Sequence, residues 1–139
     1  MLSIIIPTLN EEDYLPWLLN SIKKQDFVDY EIIIADAGSK DKTLSIAKSY
    51  GCKIVPGGLP AKGRNEGAKA AKGDMLIFLD SDVLIPHSKF IENSLAEFKK
   101  KNLDIAIFPL SIIKGKSIDK IAVSVWNKWI ILVQKVFPH

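Results

Sequence analysis

Apolar runs alternate with polar clusters along this chain, and the spacing switches between that of strands and that of helices. Ser3 to Ile6 is a β-branched run ended by Pro7, which predicts a strand that enters the core at once. Asn10 then offers a cap, and Glu11, Glu12 and Asp13 put acids where a first helical turn favours them. Leu15, Leu18, Leu19 and Ile22 follow at helical spacing, so a helix is expected from about Glu12. Pro16 is compatible only near the start of such a helix, because deeper inside it would remove a backbone hydrogen bond. The unit repeats. Glu31 to Ala35 predicts a second strand, Asp36 to Ser39 a polar turn, and Asp41 to Tyr50 a helix closed by Gly51. Lys53 to Val55 predicts a third strand, and the segment from Pro56 to Pro60 a loop. Gly63 to Lys72 predicts a helix whose small residues Ala68, Ala70 and Ala71 can lie close to a sheet.

Met75 to Leu79 is an apolar run too short for a helix, and it leads directly into Asp80, Ser81 and Asp82. It predicts a buried strand with polar chemistry at its carboxyl end. In extended backbone, residues two apart share a side, so Asp80 and Asp82 can face one ligand while Ser81 turns away. Carboxylates that close repel unless a cation lies between them, and a divalent ion such as Mg²⁺ or Mn²⁺ would satisfy both. Pro86, His87 and Ser88 predict the start of a further helix with Phe90, Ile91, Leu95 and Phe98 on one face. Ile105 to Phe108 predicts a fifth strand.

Strands alternating with helices at this spacing predict an α/β fold with a parallel, doubly wound sheet. Ligands of such sheets bind outside the carboxyl ends of the strands. Polar residues gather at those ends: Thr8, Asn10 and Glu11 after the first strand, Asp36 and Ser39 after the second, Asp80 and Asp82 after the fourth. The glycine fingerprints of P-loop and dinucleotide-binding folds are absent after the first strand. The predicted site is therefore built on carboxylates and a metal, with Lys62 and Arg64 as candidate phosphate partners.

Composition narrows the classes further. A chain of 139 residues suits one domain, and 47% apolar with 25% charged residues is ordinary for a globular protein. The net charge of +3 is mild, and no basic patch is interleaved with aromatics, which argues against nucleic acid as a partner. The single cysteine, Cys52, excludes an internal disulfide and a cysteine-based zinc cluster. No apolar run approaches the length of a membrane span, and the first residues lack the pattern of a signal peptide. A cytoplasmic location is expected.

Four stretches carry a family resemblance: Ser3 to Glu12, Glu31 to Thr43, Gly63 to Ala68, and Phe78 to Asp82. Together they resemble the family 2 glycosyltransferases, enzymes of the Rossmann-like GT-A fold that use nucleotide-sugar donors. The resemblance implies that Pro7, Thr8, Asn10 and Glu11 line a nucleoside pocket, with Asp36 beside the base and Ser39 in the same turn. Asp36 has an alternative role, holding its own turn. The resemblance also implies Arg64 near the diphosphate with Lys62 helping, Asp80 on the ribose or the metal, Ser81 beside them, and Asp82 on Mn²⁺ or Mg²⁺. The donor implied is a UDP- or GDP-linked sugar, transferred with inversion to an acceptor that is lipid-linked or a polysaccharide. Two departures stand out. Many family members carry a second Asp where this chain has Ala37, which leaves the base open. Members also continue into an acceptor half that supplies a general base.

Residues 1–113 are accordingly expected to be a donor-binding domain, a truncated one whose catalytic base is absent; Asp104 and Asp119 are the only later acids of the tail region. The alternative is a non-catalytic nucleotide-sugar-binding module that works with a partner chain. Residues 114–139 predict an amphipathic helical segment with Trp126 and Trp129 on a wide apolar face. Its expected uses, through residues 117–137, are packing or self-association on one hand and contact with the inner face of a membrane on the other.

Overall fold

The computed structural model describes residues 1–106. One compact unit spans Met1–Glu97, and a second begins at Phe98. The predicted tail segment 114–139 lies outside the described residues. So does half of the predicted fifth strand; Ile105 and Ala106 are described and lie in no strand.

The first unit contains β1 (Leu2–Thr8), α1 (Leu15–Lys23), β2 (Tyr30–Asp36), α2 (Thr43–Ser49), β3 (Lys53–Pro56), α3 (Pro60–Ala70), β4 (Met75–Phe78) and most of α4 (Phe90–Lys100). The sheet order is β3-β2-β1-β4, and each neighbouring pair is parallel. β1 is therefore central, and its alternate side chains go to opposite layers. Leu2, Ile4 and Ile6 join Ile32 and Ile34 under Leu15, Leu18, Leu19 and Ile22 of α1, Ala47 of α2 and Ile91 of α4. Ile5 and Pro7 face α3 on the other side. Burying one such aliphatic side chain contributes about 1.5–3 kcal/mol. Burial on both faces explains the unbroken run of isoleucines in β1 and β2.

Several predicted boundaries move, each for a physical reason. Pro7 does not end β1, which pairs with β2 as far as Thr8. Backbone N–H groups alternate sides along a strand, and that of residue 7 would point towards β4, whose pairing has already ended at Ile5. α1 begins at Leu15 rather than near Glu12, after a turn in which Tyr14 and Leu15 N–H groups both donate to Glu11 O. Pro16 then sits in the first turn, where no N–H is needed. α3 begins at Pro60 instead of Gly63 for the same reason, and it ends at Ala70. α4 begins at Phe90, not around Pro86.

The surface that α3 lays on the sheet is made by Gly63 and Gly67, not by the alanines. A Cβ on Gly67 would overlap Cγ2 of Ile5, and one on Gly63 would come 3.1 Å from Cβ of Pro7. β4 is half covered rather than buried: Met75 and Ile77 pack on the core, while Leu76 and Phe78 are 40% and 44% exposed. Among the described residues no helix is long and apolar enough to cross a membrane.

The Gly67 contact yields a measurable expectation. Alanine is the better helix former by roughly 1 kcal/mol, yet its methyl would meet a fully buried, stiff β-branched side chain. Gly67→Ala should therefore lower stability by about 1–3 kcal/mol, the usual cost of overpacking. Urea unfolding of the two chains checks this, and an unchanged or raised midpoint would contradict the close approach of α3 to Ile5.

Candidate functional site

A cleft of about 560 Å³ opens at the carboxyl ends of β1, β2 and β4. That volume is within the roughly 300–1,000 Å³ typical of small-molecule sites. Its two walls differ in chemistry. Pro7, Thr8, Leu9, Glu11 and Ala37 form one, from the loops after β1 and β2. Gly58, Leu59 and Pro60 lead into the other, which carries Arg64 of α3 and Asp80, Ser81 and Asp82 after β4.

Asp36 sits under the first wall and is occupied by its own surroundings. Its Oδ1 accepts hydrogen bonds from Thr8 Oγ1 at 3.0 Å and Ser39 Oγ at 2.5 Å, and its Oδ2 accepts the N–H groups of Gly38 and Ser39, each at 2.8 Å. Burial by itself would raise the pKa of this carboxyl. The donors from Ser39, Gly38 and Thr8 outweigh it and hold the group below its ordinary value. Gly38 has φ +98°, a conformation glycine adopts without strain, which lets its N–H turn back to the carboxylate. Asn10 N–H in turn donates to Ser39 Oγ at 2.9 Å, and Asn10 Oδ1 accepts from Lys40 N–H at 2.8 Å. Asn10, Asp36 and Ser39 are thus used in building the mouth and do not themselves line the cleft.

The second wall is charged. Arg64 projects from α3 and pairs with Asp80, its guanidinium nitrogen 2.5 Å from Oδ1. The register that places it comes from the glycines that seat α3 on β1. Asp80, Ser81 and Asp82 are not the extended continuation of β4. Leu79 N–H donates to Ile5 O as the last link to the sheet, and the chain then turns, with Val83 N–H donating to Asp80 O at 3.3 Å. The turn buries Ser81 and leaves both aspartates exposed at the cleft. Asp82 has no hydrogen bond or ion pair among the described residues. Lys62 lies on α3 with its stem beside Gly58, off the cleft lining. Glu66 pairs with Lys69 at 2.9 Å and also lies away from the cleft.

Sequence reasoning missed Leu9, Ala37 and the Gly58–Pro60 lip. A signal existed for the lip: Gly57 and Gly58 follow the carboxyl end of β3, where ligands of such sheets gather. A Cβ at Gly57 would fall 2.5 Å from Ala35 O, so only glycine lets the chain pass there.

A doubly wound parallel sheet with a cleft at its strand ends defines an α/β protein of the kind that takes its ligands there. The chain belongs to glycosyl transferase family 2, whose model matches residues 3–133. Its similarity to TarS, the poly(ribitol-phosphate) beta-N-acetylglucosaminyltransferase of Staphylococcus aureus, is 32% identity over 126 residues, covering 84% of this chain and 22% of that protein. The crystal structure of S. aureus TarS 1-349 superposes with a TM-score of 0.75 at 32% identity, over 84% of this chain and 37% of that one. The same TarS fragment in complex with UDP-GlcNAc gives 0.65 at 30% identity, over 82% and 38%. Glucosyl-3-phosphoglycerate synthase of Mycobacterium tuberculosis, in complex with Mn²⁺, UDP and glucosyl-3-phosphoglycerate, gives 0.54 at 31% identity, over 66% and 37%. The chain thus spans about a fifth of the length of the curated relative and just over a third of the solved chains.

The Asp36 network makes stability acid-sensitive in a defined direction. A carboxyl with a depressed folded pKa contributes stability above its unfolded value of about 3.9, and the contribution is lost as pH falls through the folded pKa. Asp36→Asn should therefore be less stable than the parent chain near neutrality, and the gap should close on acidification below about pH 4. Urea midpoints across that range test it. A gap independent of pH would mean the ionised carboxylate is not what the four donors hold.

Proposed function

We propose that this chain binds the nucleoside diphosphate sugar of a metal-dependent glycosyl transfer, with the nucleoside along the Pro7–Glu11 wall and the diphosphate at Arg64. The observation that carries the reading is one cleft with two unlike walls, one with Glu11 as its single ionisable lining residue and the other bearing Arg64, Asp80 and Asp82. A nucleoside diphosphate likewise has an uncharged end and a phosphate end. Arg64 offers a planar fork of donors that suits phosphate oxygens. The two aspartates supply hard oxygen donors, the kind Mg²⁺ and Mn²⁺ prefer. Among the described residues no cluster of three or more acidic, His or Cys side chains is present to hold an ion. Asp80 and Asp82 would hold such a cation together with phosphate oxygens and water, the usual way Mg²⁺ is bound.

The family resemblance and the UDP and UDP-GlcNAc complexes of TarS favour a uridine diphosphate donor for this chain. The Mn²⁺ and UDP held by glucosyl-3-phosphoglycerate synthase support the metal. When bound, the cation supplies Lewis-acid stabilisation of the charge that grows on the departing diphosphate, an effect worth several kcal/mol. The chain's own contribution is to hold the donor by both ends and to set Arg64 beside that charge. Inversion also needs a base to take the acceptor's proton. Asp104 is exposed, and Asp119 lies outside the described residues. Donor binding is accordingly the function proposed for these residues.

Calorimetric titration separates the parts. UDP should bind the folded chain more tightly with Mn²⁺ than without, and Asp82→Ala should remove most of that metal-dependent gain, at least about tenfold, or 1.4 kcal/mol. Absence of heat with both UDP and GDP, in a folded sample with Mn²⁺, would overturn the reading.

A further inference from the structure

The loops after β1 and β2 are joined by hydrogen bonds between residues 29 to 32 positions apart. At the centre lies Thr43, the first residue of α2, fully buried at the back of the cleft mouth. Its Oγ1 accepts the N–H of Glu11 at 2.7 Å and donates to Asp41 Oδ1 at 2.5 Å. The same Asp41 oxygen accepts Thr43's own N–H at 2.9 Å, and Asp41 Oδ2 accepts the N–H of Glu12 at 3.0 Å. Glu12 returns the contact, its Oε2 accepting Lys42 N–H at 3.0 Å. Only a hydroxyl can accept from one loop and donate to the carboxylate of the other at that point.

We propose that Thr43, with Asp41 behind it, is a positioning residue for the nucleoside wall of the cleft. Neither side chain lines the cleft, but the backbone they hold does: Glu11 is a lining residue, and Pro7, Thr8 and Leu9 precede it in the same loop. Glu11 lies just beyond the sheet pairing that fixes Pro7 and Thr8. From there to the start of α1 at Leu15, the clasp is what sets the path of the chain. Losing it frees the Glu11 end of that wall without touching Arg64, Asp80 or Asp82, which belong to α3 and to the turn after β4. The inference rests on the donor-binding reading above, and it divides the cleft into a half the clasp controls and a half it does not.

The competing role is purely local. Asp41 and Thr43 also supply hydrogen bonds at the start of α2, and a cap affects stability wherever it lies. The two roles differ in which ligand they touch. In Thr43→Val, which keeps the shape and loses the hydroxyl, UDP with Mn²⁺ should bind about tenfold more weakly, as expected for a lost hydrogen bond that leaves a donor unmet. Inorganic pyrophosphate with Mn²⁺ should bind as it does to the parent chain. Thr43→Ser should restore UDP binding. Asp41→Ala, at a half-exposed position where folding is less at risk, should repeat the selective loss. An unchanged UDP affinity in both Thr43→Val and Asp41→Ala overturns the proposal, and so does an equal weakening of UDP and pyrophosphate, which is the signature of a general packing defect. Failure of the parent chain to bind either ligand overturns the donor reading itself, and this inference with it.

Discussion

One carboxylate joins the ends of the two central strands. Asp36 closes β2, and its oxygens take a hydroxyl from Thr8 at the end of β1 and three donors from the turn that follows. Parallel strands are paired by their backbones only as far as the ladder runs, and beyond it each loop is free to choose its own path. Here the ladder ends at Thr8 and Asp36 together, and the carboxylate continues the join with side-chain bonds. A charged acceptor satisfied by several donors is stronger than the same bonds between neutral groups. The rest of the mouth follows from that point, because Ser39 takes up Asn10 and the clasp around Thr43 lies one step further out.

The opposite side of the cleft is placed by absence of side chain rather than by polar bonds. Gly63 and Gly67 let α3 come down on Ile5 and Pro7, and Gly57 lets the approaching loop pass over Ala35 O. Arg64, adjacent to one of those glycines, is thereby carried to the turn after β4 and meets Asp80. Polar bonding fixes one wall and close packing fixes the other.

Much of the site was legible in order and little of it in detail. The aspartates after β4 were expected at the cleft and are there, but they arrive on a turn instead of an extended strand, with Ser81 buried between them. Arg64 was expected as a phosphate partner and does line the cleft. Lys62, on the same helix, does not. Asn10, Asp36 and Ser39 have the residue types of ligand contacts, but Asp36 is taken up by Thr8, Gly38 and Ser39, and Asn10 by Ser39 and Lys40. Asp36 holding its own turn was one of the two readings the sequence offered, whereas the bonds that take up Thr8 and Asn10 join residues 28 to 30 positions apart, beyond any local signal.

The sequence by itself determined the strands, the helices, their alternation and the ends at which polar residues collect. Those are consequences of periodicity and of proline and glycine chemistry, which act over a few residues. Tertiary structure decided which polar groups face the cleft and which face each other, how far β4 is covered, and which small residues form the seat of α3. Those depend on what lies opposite each side chain in space, and pairing across a sheet or between loops is not written in the spacing of any one segment.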